Sequence, residues 1–326
     1  MKSLNINDLI FKELLKRGYS LRGNTRVWNI ADSKLWYLTP EQAQAYLNLE
    51  DAENFKQLAS NAEFELLSSN MDLIKEKINK DPVNIVDLGC GDGKKAAYVI
   101  EIIQNDNELR YCPIDISGYM VQKAIETISK LKVREIIESQ WNISDFENLE
   151  NVTPLLISGK FKKSLFLLLG HTLGNFEIND ILYQIRSSMQ KGDVFVFVSG
   201  VGNEKWKKWA EFWEKSAEGS ERDKSKSGMN EFFIHIPLQL GLDRKDIEFG
   251  ARFKNSRIEY YYTIKKEKII EFQGKKIRFN EGDQIVVAVS YKHETDDLLS
   301  ILNVYFGEVN LKLSQDGSTA IGICVL

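Results

Sequence analysis

Three short segments carry residue types that bind a nucleotide, and each follows an apolar run. The first is Asp87-Leu88-Gly89-Cys90-Gly91-Asp92-Gly93, preceded by Val83-Asn84-Ile85-Val86. A strand entering such a loop can turn sharply, because glycine adopts dihedrals that strain other residues, and no side chain bars a ligand. Asp87, at the strand's end, can accept from loop amides or from a cationic amino group. A purely structural turn and a dinucleotide site remain alternatives for this loop taken alone. Its spacing is G-x-G-x-G, however, not the G-x-G-x-x-G that sits against a pyrophosphate.

The second segment is Tyr111-Cys112-Pro113-Ile114-Asp115-Ile116-Ser117. A carboxylate ending the next strand can take both vicinal hydroxyls of a ribose, which makes Asp115 the ribose candidate with Ile116 beside it. The third is Asn142-Ile143-Ser144-Asp145-Phe146. Here Asp145 either accepts from an adenine amino group beside Phe146 or caps a helix. Acidic residues at successive strand ends point to an adenosine-containing ligand.

These residues need a scaffold that sets strand ends side by side. Between about Ile85 and Ser199 short apolar runs alternate with helical stretches, the pattern of a parallel sheet with crossover helices. The expected strands are Asn84–Leu88, Arg110–Ile114, Glu135–Trp141, Ser164–Leu169 and Asp193–Ser199, with helices at Lys94–Gln104, Tyr119–Leu131 and Asn179–Met189. Leu165–Leu169 and Val194–Val198 are apolar throughout, as a strand covered on both faces requires.

The rhythm changes after Ser199. Glu204–Ala217 reads as an amphipathic helix with Trp206, Trp209, Ala210 and Trp213 at helical spacing. Glu218–Met229 reads as a loop, either a lid or a solvated connection. Arg257–Phe272 and Gln284–Tyr291 alternate as strands do. Val304–Lys312 and Thr319–Leu326 are two further expected strands around the turn signal Ser314–Ser318. The N-terminal segment to about Phe55 reads as helical and aromatic, with Trp28, Trp36, Tyr37 and Tyr46. The expected organisation is α/β: a nucleotide-binding core of residues 57–199 plus 291–326, and an α+β substrate-binding or lid module of residues 1–56 plus 200–290, with a cleft between them.

Composition narrows the partners. A formal charge of −4 offers no general basic surface for phosphate backbones, so no nucleic-acid substrate is expected. The three cysteines, Cys90, Cys112 and Cys324, and three histidines, His171, His235 and His293, are scattered, so neither a disulfide framework nor a metal is expected. No apolar run approaches about 18 residues, and Met1–Asn5 lacks the start of a secretory leader, so no membrane partner and a cytoplasmic location are the expectations.

A more specific likeness appears where the fourth expected strand leads into Gly170-His171-Thr172-Leu173-Gly174-Asn175-Phe176. A strand followed by G-x-T-[IL]-G-N-F resembles the histidine-specific Nα-methyltransferases, S-adenosylmethionine-dependent enzymes. Tyr111–Ser117 is similar to that family's Y-x-P-[VI]-D-[VI]-S, Asp145-Phe146 to its D-F, and Ile285–Lys292 to its late substrate-contact strand. The likeness is close over about residues 55–200 and looser over 255–295.

The resemblance implies a Rossmann-like class I methyltransferase core and S-adenosylmethionine as cofactor. Its contacts are expected from Asp87, Gly89, Gly91, Gly93, Asp115, Ile116, Asp145, Phe146 and Gly170. It also implies that Asn175 holds the amino or carboxylate end of the substrate. Without the family, an Asn after Gly at a strand end reads as a turn residue. His171 reads first as a loop residue, although its place at a strand end would suit a base.

The departures bear on the substrate. Where the family has a Glu and a Ser two residues apart that grip the imidazole of histidine, this chain has Ala288 and Ser290. A charged hydrogen bond of that kind is worth on the order of 1.5–3 kcal/mol, so histidine is disfavoured as the acceptor. Tyr260 stands where the family has a flexible apolar residue, which suggests a more aromatic pocket. The alternative is that Tyr260, Tyr261 and Tyr262 simply alternate between sheet faces. Asn175, Ser290 and Tyr260 are the expected substrate-positioning residues, and the expected acceptor is an amino acid or related small amine. A protein or peptide methyltransferase is the second reading, and a non-catalytic cofactor-binding domain the third.

Overall fold

The computed structural model describes residues 6–139, 142–143, 145–146, 149–215 and 228–326. In chain order the elements are α1 (Asp8–Arg17), β1 (Tyr19–Arg22), β2 (Thr25–Asn29), α2 (Pro40–Asp51), α3 (Glu53–Phe55), α4 (Asn61–Ile78), β3 (Val83–Leu88), α5 (Lys94–Ile103), β4 (Leu109–Ile114), α6 (Gly118–Ile128) and β5 (Glu135–Ile136). They continue with α7 (Leu149–Leu156), β6 (Lys163–Leu168), α8 (Ile178–Ser188), β7 (Val194–Gly200), α9 (Glu204–Lys215), α10 (Gly228–Phe233), α11 (His235–Gln239), β8 (Ile247–Lys254), β9 (Arg257–Ile264), β10 (Lys268–Phe272), β11 (Lys275–Phe279), β12 (Gln284–Tyr291), α12 (Thr295–Tyr305), β13 (Glu308–Leu313) and β14 (Thr319–Val325). The chain divides into two compact units, Met1–Leu49 with Glu204–Ser290, and Glu50–Asn203 with Tyr291–Leu326.

The second of these units is built on a seven-stranded sheet in the order β13-β14-β7-β6-β3-β4-β5. Strands β3 to β7 are parallel, and β14 and then β13 add on antiparallel beside β7. Because side chains alternate along a strand, β3 sends Ile85 to one core and Val86 to the other. Ile85, Tyr111, Leu165 and Val196 pack with α4, α5 and α6. Val86, Cys112, Phe166 and Phe195 pack with α7, α8 and α12. Both faces are therefore dry, which is why Leu165–Leu168 of β6 and Val194–Val198 of β7 are apolar without interruption. Strand order reverses at β3, whose neighbours are β6 and β4, and a ligand crevice opens at such a reversal outside the strands' carboxyl ends.

The other unit carries a five-stranded sheet ordered β1-β2-β12-β9-β8 and a separate β10–β11 hairpin. Along β9 the side chains divide by parity: Ile258, Tyr260 and Tyr262 pair in register with Phe253, Ala251 and Phe249 of β8, while Glu259 and Tyr261 pair with Arg252 and Gly250. Trp36, Phe232, Phe233 and Tyr260 form an aromatic chain, with Trp36 edge-to-face against Phe233 at 5.3 Å and Phe233 tilted against Tyr260 at 5.0 Å.

Four expectations from the sequence are corrected. The N-terminal segment is not simply helical, because Gly23, at φ +58°, turns β1 back on β2. Val304 and Tyr305 end α12 instead of starting a strand: Leu298 and Leu302 bury one face of that helix, and β13 begins only at Glu308. Arg257–Phe272 is two strands, since β9 ends at Ile264 and β10 pairs with β11 alone. The third parallel strand is two residues long, Glu135–Ile136, and positions 140 and 141 of the expected run lie outside the described residues. So do Ser144, Ala217 and positions 218–227 of the expected loop, while Gly228 and Met229 open α10.

Candidate active site

Strand β3 delivers Asp87 to the edge of the crevice, and the chain then turns through three glycines with positive φ. The amides of Gly89 and Cys90 both donate to the carbonyl of Ile114 at 2.7 and 3.3 Å, tying the loop to the end of β4. Gly93 holds φ +77° where a Cβ would lie 2.9 Å from the Cα of Ala124, so α6 passes too close for any side chain. Gly91, by contrast, faces open space, with no atom within 4 Å of the position a Cβ would take.

The two carboxylates expected here divide their work differently from the sequence reading. Asp115, not Asp87, accepts from the loop: Gly91 N–H donates to it at 3.2 Å and Ser117 N–H at 2.9 Å. Asp87 is taken up by Tyr111, whose hydroxyl donates at 2.6 Å within the core. Burial pushes the Asp87 carboxyl up to about 7 against the opposing pull of the Tyr111 hydrogen bond. Burial also lifts Asp115, to about 6, while amides of Ser117, Gly91 and Ile116 pull it down. Ile116 is half-buried and contributes its backbone.

After β5, Asn142 staples the chain to β4. It is buried, donates through Nδ2 to the Pro113 carbonyl at 2.5 Å, and accepts the Ser139 amide at 2.6 Å. Ile143 pairs with Asp115 as an isolated parallel bridge. This brings half-buried Asp145 and Phe146 to the same edge. The Phe146 ring stands 5.4 Å from that of Phe176 and 3.7 Å from where a Gly89 Cβ would be.

Strand β6 exits through Gly170 and His171, at φ +73° and +60°, into a 3-10 turn over Thr172–Asn175. Thr172 Oγ1 donates back to Leu169 O at 2.6 Å, and its methyl lies 3.4 Å from the Cβ position of Gly89. The exit loop of β6 is thus in contact with the glycine loop, and Asn175, half-buried, ends its turn. Gly89, Phe146, Thr172 and Phe176 are brought together by direct contact. Asp115 joins them through Gly91.

Tyr260, Ala288 and Ser290 belong to the other unit. Tyr260 is 5% exposed between Phe233 and Trp209, and burial raises its hydroxyl pKa. Ala288 is fully buried and Ser290 half-buried near the end of β12.

Several residues at the site were not singled out in the sequence. Glu63 of α4 is fully buried and accepts the Gly170 amide at 2.6 Å, and Lys95 pairs with both Glu63 (3.3 Å) and Glu50. A signal existed: Glu63 shares a helical stripe with buried Leu66 and Leu67, at i+3 and i+4. Nothing comparable marked Tyr111 or Asn142 as partners of Asp87 and Pro113. Among the described residues no group of histidine, cysteine or acidic side chains is placed to hold a metal, and no helix is long and apolar enough to cross a membrane.

The site suits an adenosylated sulfonium. A buried carboxylate beside an open glycine loop fits a ribose, and the Phe146 edge fits a flat base. The family model described as histidine-specific methyltransferase, SAM-dependent, matches residues 58–310. No protein of curated function matches the chain in sequence. Among solved structures, similarity extends to an S-adenosylmethionine-dependent methyltransferase from Clostridium acetobutylicum ATCC 824, at 13% identity and TM-score 0.44 over 87% of this chain and 98% of that one. It extends also to magnesium protoporphyrin IX methyltransferase from Synechocystis PCC 6803 with bound SAH, at 10% identity and TM-score 0.44 over 86% and 93%. The sugar N-methyltransferase KedS8 from Streptoalloteichus sp ATCC 53650 is similar at 12% identity and TM-score 0.38 over 95% and 100%. With most of its length matched by that model, the chain belongs to the histidine-specific, S-adenosylmethionine-dependent methyltransferase family and is a methyltransferase that uses this cofactor.

Proposed function

We propose that the enzyme methylates the nitrogen of an amino acid or related small amine other than histidine, with Asn175 holding the amine. The observation that carries this is the contact between the two loops: the turn ending in Asn175 packs against the glycine loop through Thr172. An acceptor held by Asn175 would therefore lie near the cofactor.

S-adenosylmethionine supplies an electrophilic methyl with its own leaving group, so the protein's task is geometric. Asp115 and the amide of Gly91 would hold the ribose side, with Phe146 against the base. The side-chain carbonyl of Asn175 would accept from the amine N–H and turn its lone pair toward the methyl. Ser290 and Tyr260 are proposed as further substrate-positioning residues. Ala288, where the resemblance places the family's carboxylate, would itself supply no charge to an imidazole ring.

The test is incubation of purified enzyme with methyl-labelled cofactor and a panel of amino acids and amines that includes histidine, alongside a cell lysate. Label in one small amine, with histidine at least about tenfold poorer in kcat/KM, supports the proposal. Label in macromolecules alone would sink it in favour of a protein substrate.

A further inference from the structure

The cluster Glu50–Lys95–Glu63 lies behind the site and is not accounted for by cofactor or acceptor binding. Glu63 sits in the first turn of α4 with its side chain fully enclosed. One carboxylate oxygen accepts the Gly170 amide at 2.6 Å, and the other faces Lys95 Nζ at 3.3 Å. Lys95 lies in the first turn of α5, directly after the glycine loop, and is also paired with Glu50 at the end of α2. Burial opposes the Lys95 ammonium, but Glu50 and Glu63 more than offset it and raise its pKa, so the lysine stays charged.

Gly170 is the pivot of the β6 exit. It and His171 both adopt left-handed dihedrals, and a non-glycine residue there stays put only when its surroundings hold it. From within the loop come the Thr172 hydroxyl on Leu169 O and the Gly174 amide on His171 O at 3.1 Å. From outside, the Gly170 amide is held by a charged acceptor, and charge-assisted hydrogen bonds are about twice as strong as neutral ones.

We infer that Glu63 is a positioning residue for methyl transfer: its buried carboxylate, steadied by Lys95 and Glu50, fixes the Gly170 amide and so sets where the 170–175 loop places Asn175 beside the glycine loop. This rests on the proposed role of Asn175 only for its catalytic consequence; the positioning itself is read independently.

The experiment is amide hydrogen exchange of the full chain with S-adenosylhomocysteine bound, followed in peptides spanning residues 86–93 and 165–176. In Glu63→Ala, exchange at 170–175 should rise at least about tenfold while 86–93 changes less than about threefold. Glu63→Gln still offers an oxygen to Gly170 and should restore protection. With the amine found by the labelling assay, Glu63→Ala should lower kcat about a hundredfold at nearly constant KM for S-adenosylmethionine, a misplacement effect. Unchanged exchange at 170–175, equal loss in both peptides, or no rescue by Gln would overturn the inference. Full turnover in Asn175→Ala would instead remove the proposed acceptor role and leave the exchange result standing.

Discussion

The phenolic oxygen of Tyr111 on β4 donates to the carboxylate of Asp87 on the neighbouring β3 at 2.6 Å, in a part of the core closed to water. The acidic residue at the head of the glycine loop is therefore a structural partner within the sheet. Its neighbour Asp115 is the carboxylate that meets the loop amides.

Tyr111→Phe should remove the donor and leave a buried carboxylate unsolvated, at a cost of about 1–3 kcal/mol. Because the Asp87 carboxyl titrates at about 7, the loss should be larger at pH 8, where the group is ionised, than at pH 5. Urea denaturation at the two pH values measures it. Equal losses would mean that the hydroxyl acts by packing alone.

Asp87 and Asp115 also set a pH trend for the unliganded protein. Both carboxyls are raised from 3.8, to about 7 and about 6, so the native state holds their protons more tightly than the unfolded chain. Their contribution to stability is present in full below about 3.8 and is lost as pH rises through about 6 and 7. Cofactor binding would run the other way, since in the proposed site a ribose hydroxyl donates to the ionised Asp115 carboxylate. The affinity for S-adenosylhomocysteine, measured by calorimetry, should fall as pH drops through about 6. In Asp115→Asn that step should vanish, and its persistence would assign it to another group.

Asp115→Ala and Asn175→Ala should separate the two halves of the site. The first removes a charged acceptor and should weaken S-adenosylhomocysteine binding by about 1.5–3 kcal/mol. The second should leave that affinity within about threefold and lower kcat by at least about tenfold, an orientation effect. Equal loss of cofactor affinity in both variants would show that Asn175 does not belong to the acceptor side.

Gly93→Ala tests the close approach of α6 to the loop. The new Cβ would meet the Ala124 backbone at 2.9 Å on a residue with φ +77°, so both sterics and dihedral oppose it. The expected destabilisation is about 1–3 kcal/mol, visible as a lower thermal midpoint. Gly91→Ala, where space is open but φ is +53°, should cost less. A reversed order would refute the packing argument.

Much of the scaffold was legible because its rules are local. The parallel strands could be read from Val83–Leu88 and Val194–Gly200, whose residues are buried on both faces. The misread segments obey weaker rules. Val304 and Tyr305 are apolar residues at a helix end that also suit a strand, and only the packing of Leu298 and Leu302 decides between them. The β1–β2 hairpin is short, and β2 is held by parallel pairing with β12, far along the chain.

By itself the sequence determined the glycine loop, the carboxylate after the second strand and the Gly-Asn-Phe exit of the fourth, since each is a short motif of adjacent residues. Only the tertiary structure decided which carboxylate serves the loop and which is consumed by the core. It alone joined Glu63 to Gly170, 107 positions apart, and Lys95 to both Glu50 and Glu63. Such pairings arise because a buried charge must find a partner wherever the fold brings one, and no local spacing records where that will be.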